Sequence, residues 1–281
     1  MKNDYIKVDD ITKKQKLLLY ILKNFHDICE ENGLVYNIFG GTMLGAVRHG
    51  GIIPWDDDVD VTMPRDDYER FIQIVKEQYH RDFVIHSIKD KNYIYPFAKF
   101  GMKKTLLTES IVRDKYNKLT VNIDVFPNDN YPLDISLFKQ YEEYERKIIK
   151  CAYNIDIMPK KWWKKPLVIF KYIERLLVRI RGVYYYLEKQ ERLFKEAKND
   201  DKYILCQGAG WGEKGKLEKA VYYDRMLYSF NDLKVWGIKN YDKHLSSLYG
   251  DYMTPPPEEK RICPHSNSFL IEKEIYDKVF K

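Results

Sequence analysis

The stretch from Phe39 to Pro64, FGGTMLGAVRHGGIIPWDDDVDVTMP, constrains this chain more than any other, because it sets four carboxylates within five positions just downstream of a double glycine. A strand has a side-chain period of two, so Asp58 and Asp60 project from one face of any strand formed by Asp58 to Met63. Two acids spaced roughly 6 to 7 Å apart repel by under about 1 kcal/mol in water and several-fold more in a partly dry cleft. A cation between them removes that cost, and oxygen-only ligands suit Mg²⁺ or Mn²⁺. The competing reading is a solvated acidic turn, in which Pro54, Trp55 and the run Asp56-Asp57-Asp58 cap a strand and bind nothing. The order of the parts favours a site. An apolar run from Val35 to Phe39 leads into Gly40-Gly41-Thr42 and then a helix-compatible piece, Met43 to Arg48. Strand, double glycine and helix start form an anion site, since glycines let backbone N–H groups approach a phosphate and the helix dipole favours negative charge. A Gly-Gly pair alone is usually a turn. Followed by Asp-x-Asp on the next strand, it is a sharper signal.

These residues resemble the nucleotidyltransferase superfamily related to DNA polymerase beta, in which a Gly-Gly or Gly-Ser turn and a helix precede Asp-x-Asp on the neighbouring strand. GGTMLGAVRHGGIIPWDDDVDVTMPRDDYERF is similar, more narrowly, to the signature of the LicD family, whose members include phosphocholine transferases and fukutin-related proteins. YPFAK (95–99), IDVFPND (123–129) and YGDYMTPPPEEKRICPH (249–265) follow in the family order and span most of the chain outside Tyr131 to Gly210. The 16 residues between Gly41 and Asp58 exceed the general superfamily spacing but are usual for LicD.

The resemblance implies an α+β fold, a nucleotidyltransferase-like mixed β-sheet core flanked by helices, with a helical insertion. It implies metal-dependent transfer of a phospho-alcohol group, phosphocholine-like, from a CDP-linked donor to a hydroxyl of a glycan or cell-surface polysaccharide precursor, releasing CMP. In that scheme Gly40, Gly41 and Thr42 hold phosphate, Asp58 and Asp60 bind Mg²⁺ or Mn²⁺, and Asp124 completes the metal site or takes the acceptor proton. Arg261 and His265 lie in a terminal basic motif. Arg48 and Lys99 are further candidates, because a diphosphate needs more positive charge than one metal supplies. Two rivals keep their place: a nucleotidyltransferase using a nucleoside triphosphate, and a non-catalytic interaction protein at a membrane surface. Choline as the transferred alcohol would favour an aromatic cage including Trp55 or nearby tyrosines, whereas ribitol or glycerol would need hydrogen-bonding groups.

A chain of 281 residues fits one large domain or two small ones. With 44% hydrophobic and 15% aromatic residues it is expected to fold rather than remain disordered. Cys29, Cys151, Cys206 and Cys263 are far apart and make no CxxC pair, which argues against a zinc site or a disulfide framework and for a reduced, cytoplasmic setting. The start MKNDYIKVDD has no apolar core of a signal peptide, and no later run reaches the length of a membrane span. A location in the cytoplasm, or peripheral at the inner face of the membrane, is therefore expected.

Along the chain, Thr12-Lys13-Lys14-Gln15 has the form of a capping box before a helix carrying Leu18, Ile21, Leu22, Phe25, Ile28 and Cys29, ended by Gly33. After Pro64, residues Tyr68, Phe71, Ile72, Val75 and Tyr79 mark a second helix. Strand-like runs follow at Phe83–Ile88, Tyr95–Phe100 and Thr105–Thr108. Val121–Phe126 is the next strand, with Asp124 among apolar neighbours where a carboxylate is costly unless paired or metal-bound. A strand-end Asp capping a turn is the alternative, and Asp129, past Pro127, reads as turn chemistry. Three regions result: 1–135 as the core with the metal site, 136–200 as a helical insertion, and 201–281 as a C-terminal segment completing core and site. Within the insertion, Lys160 to Arg181 holds eight basic residues against one acid, with Lys171, Arg175 and Arg179 aligned beside Trp162, Trp163, Leu167, Phe170, Ile173, Leu177 and Ile180. This is a basic amphipathic helix, either packed on the fold with a solvated basic face or touching a membrane surface. No nucleic-acid partner is expected, since no binding motif is present and the rest of the chain is nearly neutral.

Overall fold

The computed structural model describes residues 4–107, 112–116, 119–154, 168–206, 208, 210–263 and 268–281. Strand β1 (Tyr5–Asp9) leads into helix α1 (Ile11–Glu31), whose cap is Asp10 rather than the expected Thr12: its Oδ1 accepts from Thr12 N at 2.8 Å and Lys13 N at 3.3 Å. The cap lies one residue before the helix start, which leaves Lys14 and Gln15 free to face inward one turn further on. Helix α1 buries Leu17, Leu18, Ile21, Leu22, Phe25, Ile28 and Cys29 in the main core. Phe25, Phe71 and Phe100 make edge-on and tilted ring contacts there, tying the first helix to the next helix and to the sheet.

The expected strand at Val35–Phe39 shrinks to β2 (Asn37–Ile38), and α2 (Gly40–Arg48) begins at the double glycine itself, three residues earlier than Met43. Next come β3 (Asp60–Pro64), which starts at the second acid of Asp-x-Asp, and α3 (Arg65–Gln78), which buries Tyr68, Phe71 and Val75 as the stripe predicts. Strands β4 (Phe83–His86), β5 (Ala98–Met102) and β6 (Thr105–Leu107) match the three expected runs within a few residues.

Strand β7 (Asn122–Pro132) has eleven residues and runs straight through Pro127. It pairs in parallel with β3, Asp60 beside Asp124, and antiparallel with β5, Lys99 beside Asp124. Three helices follow, α4 (Ser136–Ala152), α5 (Val168–Arg181) and α6 (Val183–Lys195), with their own small core around Ile148, Cys151, Val178, Tyr186 and Leu187. Strand β8 (Asn199–Cys206) then joins the far half of β7, and β9 (Lys216–Glu218) pairs with β8. The main sheet therefore runs β2-β3-β7-β5-β4 with β8 and β9 continuing from β7, a mixed sheet in an α+β fold. Helix α7 (Lys219–Tyr223), the hairpin β10 (Arg225–Phe230) and β11 (Leu233–Ile238), and α8 (Tyr241–Tyr249) cover the end of that sheet bearing β2. Strand β12 (Ser268–Glu272) closes a small sheet with β1 and β6 before α9 (Lys273–Phe280).

Of the basic stretch 160–181, residues 160–167, with Trp162 and Trp163, lie outside the described residues, and the rest is α5. Packing of its apolar stripe on the fold is overturned: Phe170, Ile173, Leu176, Leu177 and Ile180 are exposed, whereas Val178 is buried and Arg175 donates to the Lys150 and Tyr153 carbonyls. The carbonyls left over at the end of α4 attract the guanidinium, and that contact turns the apolar stripe outward.

Candidate active site

The residues gather where the start of α2, the loop before β3 and the end of α8 meet. Gly40 adopts φ +54°, the left-handed region a side chain resists, and a Cβ there would stand 3.5 Å from Asp60 Oδ2 and 3.6 Å from the Tyr249 hydroxyl. A Cβ on Gly41 would stand 3.1 Å from Asp56 Oδ2. The double glycine thus brings the first turn of α2, with its N–H groups lacking intrahelical carbonyl partners, directly against the carboxylates. Thr42 is buried, and its hydroxyl accepts the Asp60 N–H at 2.8 Å, so it fixes the strand that carries the acid. A cleft of about 520 Å³ opens there, walled by Gly41, Arg48, Asp56, Asp58, Asp60 and Tyr249, with Trp55, Tyr252 and Pro256 at its rim.

The loop that presents Asp56 and Asp58 is held from behind. Lys14 forms an ion pair with Asp57 in which both side chains are almost wholly buried. Gln15 Nε2 donates to the carbonyls of Ile53, Pro54 and Asp56 at 3.1, 3.3 and 2.8 Å. On the other side, Asn231 at the tip of the β10–β11 hairpin accepts from Ile52 N at 3.0 Å and donates its own N–H to the Gly50 carbonyl at 2.7 Å.

Charge is crowded here. Burial pushes the Asp56 carboxyl up to about 8, helped by the charge of Asp58 and a shared hydrogen bond with it. Asp60 is held well above the usual carboxylate range by burial, then by Asp58, Asp124 and Asp56, with Lys99 opposing. Such shifts mean that burial, and then the neighbouring acids, make these carboxylates costly to ionise together. No three His, Cys, Asp or Glu among the described residues are arranged as a ready-made cage. The donor set nevertheless fits a hard divalent ion, because carboxylate oxygens on facing loop and strand positions are the ligands Mg²⁺ and Mn²⁺ prefer. Positive charge stands opposite. Arg48 donates to the Tyr252 carbonyl at 2.7 Å, and its guanidinium is made easier to deprotonate by burial and by the nearby Arg261.

The expected residues are distributed as follows. Gly40, Gly41, Arg48, Asp58 and Asp60 converge on the cleft or its edge, and Thr42 lies directly behind. Asp124 stands beside Asp60 across the parallel pairing, and its Oδ1 accepts from Lys99 Nζ at 2.5 Å. Lys99 is buried under Tyr95 and Phe97, with its ammonium 4.5 and 5.2 Å from their ring centres, so it meets the site through Asp124. Arg261 lies at the rim, 5.3 Å from the Trp55 ring centre, and so occupies an aromatic face that a choline cage would use. His265 lies outside the described residues. The reading of Asp129 as turn chemistry is overturned: it is buried within β7 and accepts two bonds from the Arg65 guanidinium. Sequence reasoning left Asp56 and Tyr249 out of the site. The signal for Asp56 was its place in the acid run; nothing local pointed to Tyr249.

Residues 33–150 match the family model described as LicD/FKTN/FKRP, nucleotidyltransferase domain. The chain is 28% identical over 272 residues to the lipopolysaccharide cholinephosphotransferase LicD of Haemophilus influenzae, covering 91% of this chain and 96% of that protein. It is 30% identical over 164 residues to an uncharacterized protein of Rickettsia prowazekii, covering 51% of this chain and 55% of that protein. A stretch of 34 residues is 56% identical to the human ribitol 5-phosphate transferase FKRP, 12% of this chain and 7% of that protein.

Proposed function

We propose, from the premise that residues 33–150 are a LicD-family nucleotidyltransferase domain, that this chain is a metal-dependent phosphotransferase moving a phospho-alcohol group from a CDP-linked donor to a glycan hydroxyl. The observation that carries the reading is one cleft walled by Asp56, Asp58 and Asp60 on one side and by the start of α2 and Arg48 on the other. A diphosphate is anionic and travels with a divalent cation, so it needs an anion-seeking wall and a cation-seeking wall within a few ångströms of each other. The similarity to a cholinephosphotransferase over nearly the whole chain favours choline as the alcohol.

The acceptor hydroxyl oxygen bonds to the distal phosphorus of the donor, the bond from that phosphorus to the bridging oxygen breaks, and CMP leaves with that oxygen. The proton of the hydroxyl passes to a carboxylate, for which Asp124 is the proposed acceptor. The backbone N–H groups at Gly40, Gly41 and Thr42 hold phosphate oxygens, and Arg48, oriented by the Tyr252 carbonyl, balances the charge that grows on the leaving CMP. A divalent ion held by Asp56, Asp58 and Asp60 would neutralise phosphate oxygens and align them for displacement.

The test is to incubate the purified chain with CDP-choline, CDP-ribitol or CDP-glycerol, Mg²⁺ or Mn²⁺, and a glycan acceptor, and to measure CMP. Acceptor-dependent CMP release is expected, reduced on the order of 10² to 10³-fold in Asp58→Asn and Asp60→Asn. Pyrophosphate release from a nucleoside triphosphate, with CDP-alcohols inert, would move the same site to nucleotidyl transfer.

A further inference from the structure

No helix among the described residues is long and apolar enough to cross a membrane, yet one presents its apolar side to the outside. At 3.6 residues per turn, Phe170, Tyr172, Ile173, Leu176, Leu177 and Ile180 of α5 fall within an arc of roughly 160°. Phe170 and Ile180 are 71% and 72% exposed and the others more than half, so among the described residues this arc meets no part of the core. The opposite side does the packing: Val178 is buried, Arg175 binds the Lys150 and Tyr153 carbonyls, and Glu174 pairs with Lys150. Tyr184, at the start of α6, is 55% exposed and extends the surface.

The charges flank this arc. On the same helical projection Arg179 lies beside Tyr172 at one edge, and Arg181 lies beside Phe170 and Leu177 at the other. Both are exposed, and Arg181 lies 5.7 Å from the Tyr185 ring centre. Helix α5 carries four basic residues against one acid. A cationic side chain on each edge of an exposed apolar stripe is the arrangement of a helix lying in a lipid interface, its apolar side among the acyl chains and its guanidiniums at the phosphates. Two copies pairing in parallel through the same face would instead bring the Arg179 and Arg181 guanidiniums of both copies together at one end.

We propose that α5 is a peripheral docking surface for an anionic lipid bilayer, lying in the interface with Phe170, Ile173, Leu177 and Ile180 inserted and Arg179 and Arg181 at the headgroups. The proposal stands on the exposure and charge of α5 and does not depend on the reaction proposed above.

The test uses the full chain in flotation with vesicles of phosphatidylcholine alone or with about one third phosphatidylglycerol, at low and high salt. The expected result is binding to the anionic vesicles that weakens with salt, and much weaker binding to the neutral ones. Ile173→Ser/Ile180→Ser should weaken binding at least about tenfold, and Arg179→Ala or Arg181→Ala about fivefold each on anionic vesicles only. These residues are exposed, so the thermal midpoint should stay within a few degrees of the parent protein. Failure of the parent chain to float with anionic vesicles at low salt, or flotation that none of these variants alters, overturns the proposal. So does a concentration-dependent dimer in light scattering that Ile173→Ser/Ile180→Ser abolishes while vesicles are ignored, since the face would then belong to a second copy.

Discussion

Replacing Lys14 with Met strips the partner from a carboxylate that has no route to solvent. Lys14 and Asp57 are 3% and 2% exposed and form an ion pair between α1 and the loop that leads into β3. Breaking such a pair from one side costs about 3 to 5 kcal/mol, because the remaining charge stays buried. A second route to the number agrees. Asp57 can escape the charge by taking a proton, and protonating a carboxylate of ordinary pKa near 4 at pH 7 costs about 3 units, or about 4 kcal/mol. That escape gives the defect a pH dependence. In the variant the folded-state pKa of Asp57 is raised, so stability is retained below the unfolded pKa and lost as pH climbs. Urea denaturation should therefore show a loss of about 4 kcal/mol at pH 7 shrinking to about 1 to 2 kcal/mol near pH 5. The thermal midpoint at pH 7 should fall on the order of 10 °C. Adding Asp57→Asn to Lys14→Met should recover a large part of the loss, giving a coupling above about 1 kcal/mol in the double-mutant cycle. A Lys14→Met protein within about 1 kcal/mol of the parent at pH 7, with no slope between pH 5 and 7, would refute the reasoning.

Two further outcomes follow from the carboxylates. Asp56 and Asp60 have folded-state pKa values above their unfolded ones, so in excess chelator the thermal midpoint should fall as pH rises from about 4 towards the value of about 8 for Asp56, and Mg²⁺ or Mn²⁺ should offset the fall; a chelated profile flat over that window, or one that Asp60→Asn leaves unchanged, would remove the crowding argument. Asp124→Ala and Asp129→Ala each strand a buried cation, Lys99 and Arg65, so both should cost about 3 to 5 kcal/mol in denaturation, but only Asp124→Ala should abolish CMP release by the molecules that remain folded; lost turnover in folded Asp129→Ala, with turnover kept in folded Asp124→Ala, would show that the wrong acid of β7 had been given the chemistry.

The elements legible in the sequence are those whose signal is local. Helix α3 shows because Pro64 marks its start and its stripe repeats every three or four residues. The long β7 was hidden by Pro127, which reads as a stop. The register explains why it is tolerated. Asp124 N donates to the Val59 carbonyl on the β3 side, so the nitrogen of residue 127 faces the other side. There the pairing with β5 ends at Val125 and the pairing with β8 begins at Asn128, and no hydrogen bond is lost. Once the strand is continuous, the period of two separates its acids: Asp124 and Asp129 are an odd number of residues apart and lie on opposite faces, one towards Asp60 and one towards Arg65. Helix α5 was legible as amphipathic, but which side packs depends on carbonyls at the end of α4, twenty-odd residues away, and no local pattern encodes that.

The acid run itself shows how the two readings of Asp56-Asp57-Asp58 divide. Asp57 faces inward to Lys14, and its role is to fasten the loop, while Asp56 and Asp58 face the cleft on either side of it. An extended backbone alternates its side chains, so seating the middle acid aims both neighbours outward together. Lys14 and Gln15 act on this geometry from one helical turn, Asn231 from a hairpin tip, and Thr42 through the Asp60 N–H. Mutual repulsion between Asp56, Asp58 and Asp60 would otherwise push the loop open. Holding it closed from three directions keeps the carboxylates close enough to share one cation, and the energy spent on that crowding is available again when a cation enters. A chain with Lys14 lost should for that reason bind divalent ions more weakly even at a pH where it is fully folded, since the ligands would no longer be held together before the ion arrives.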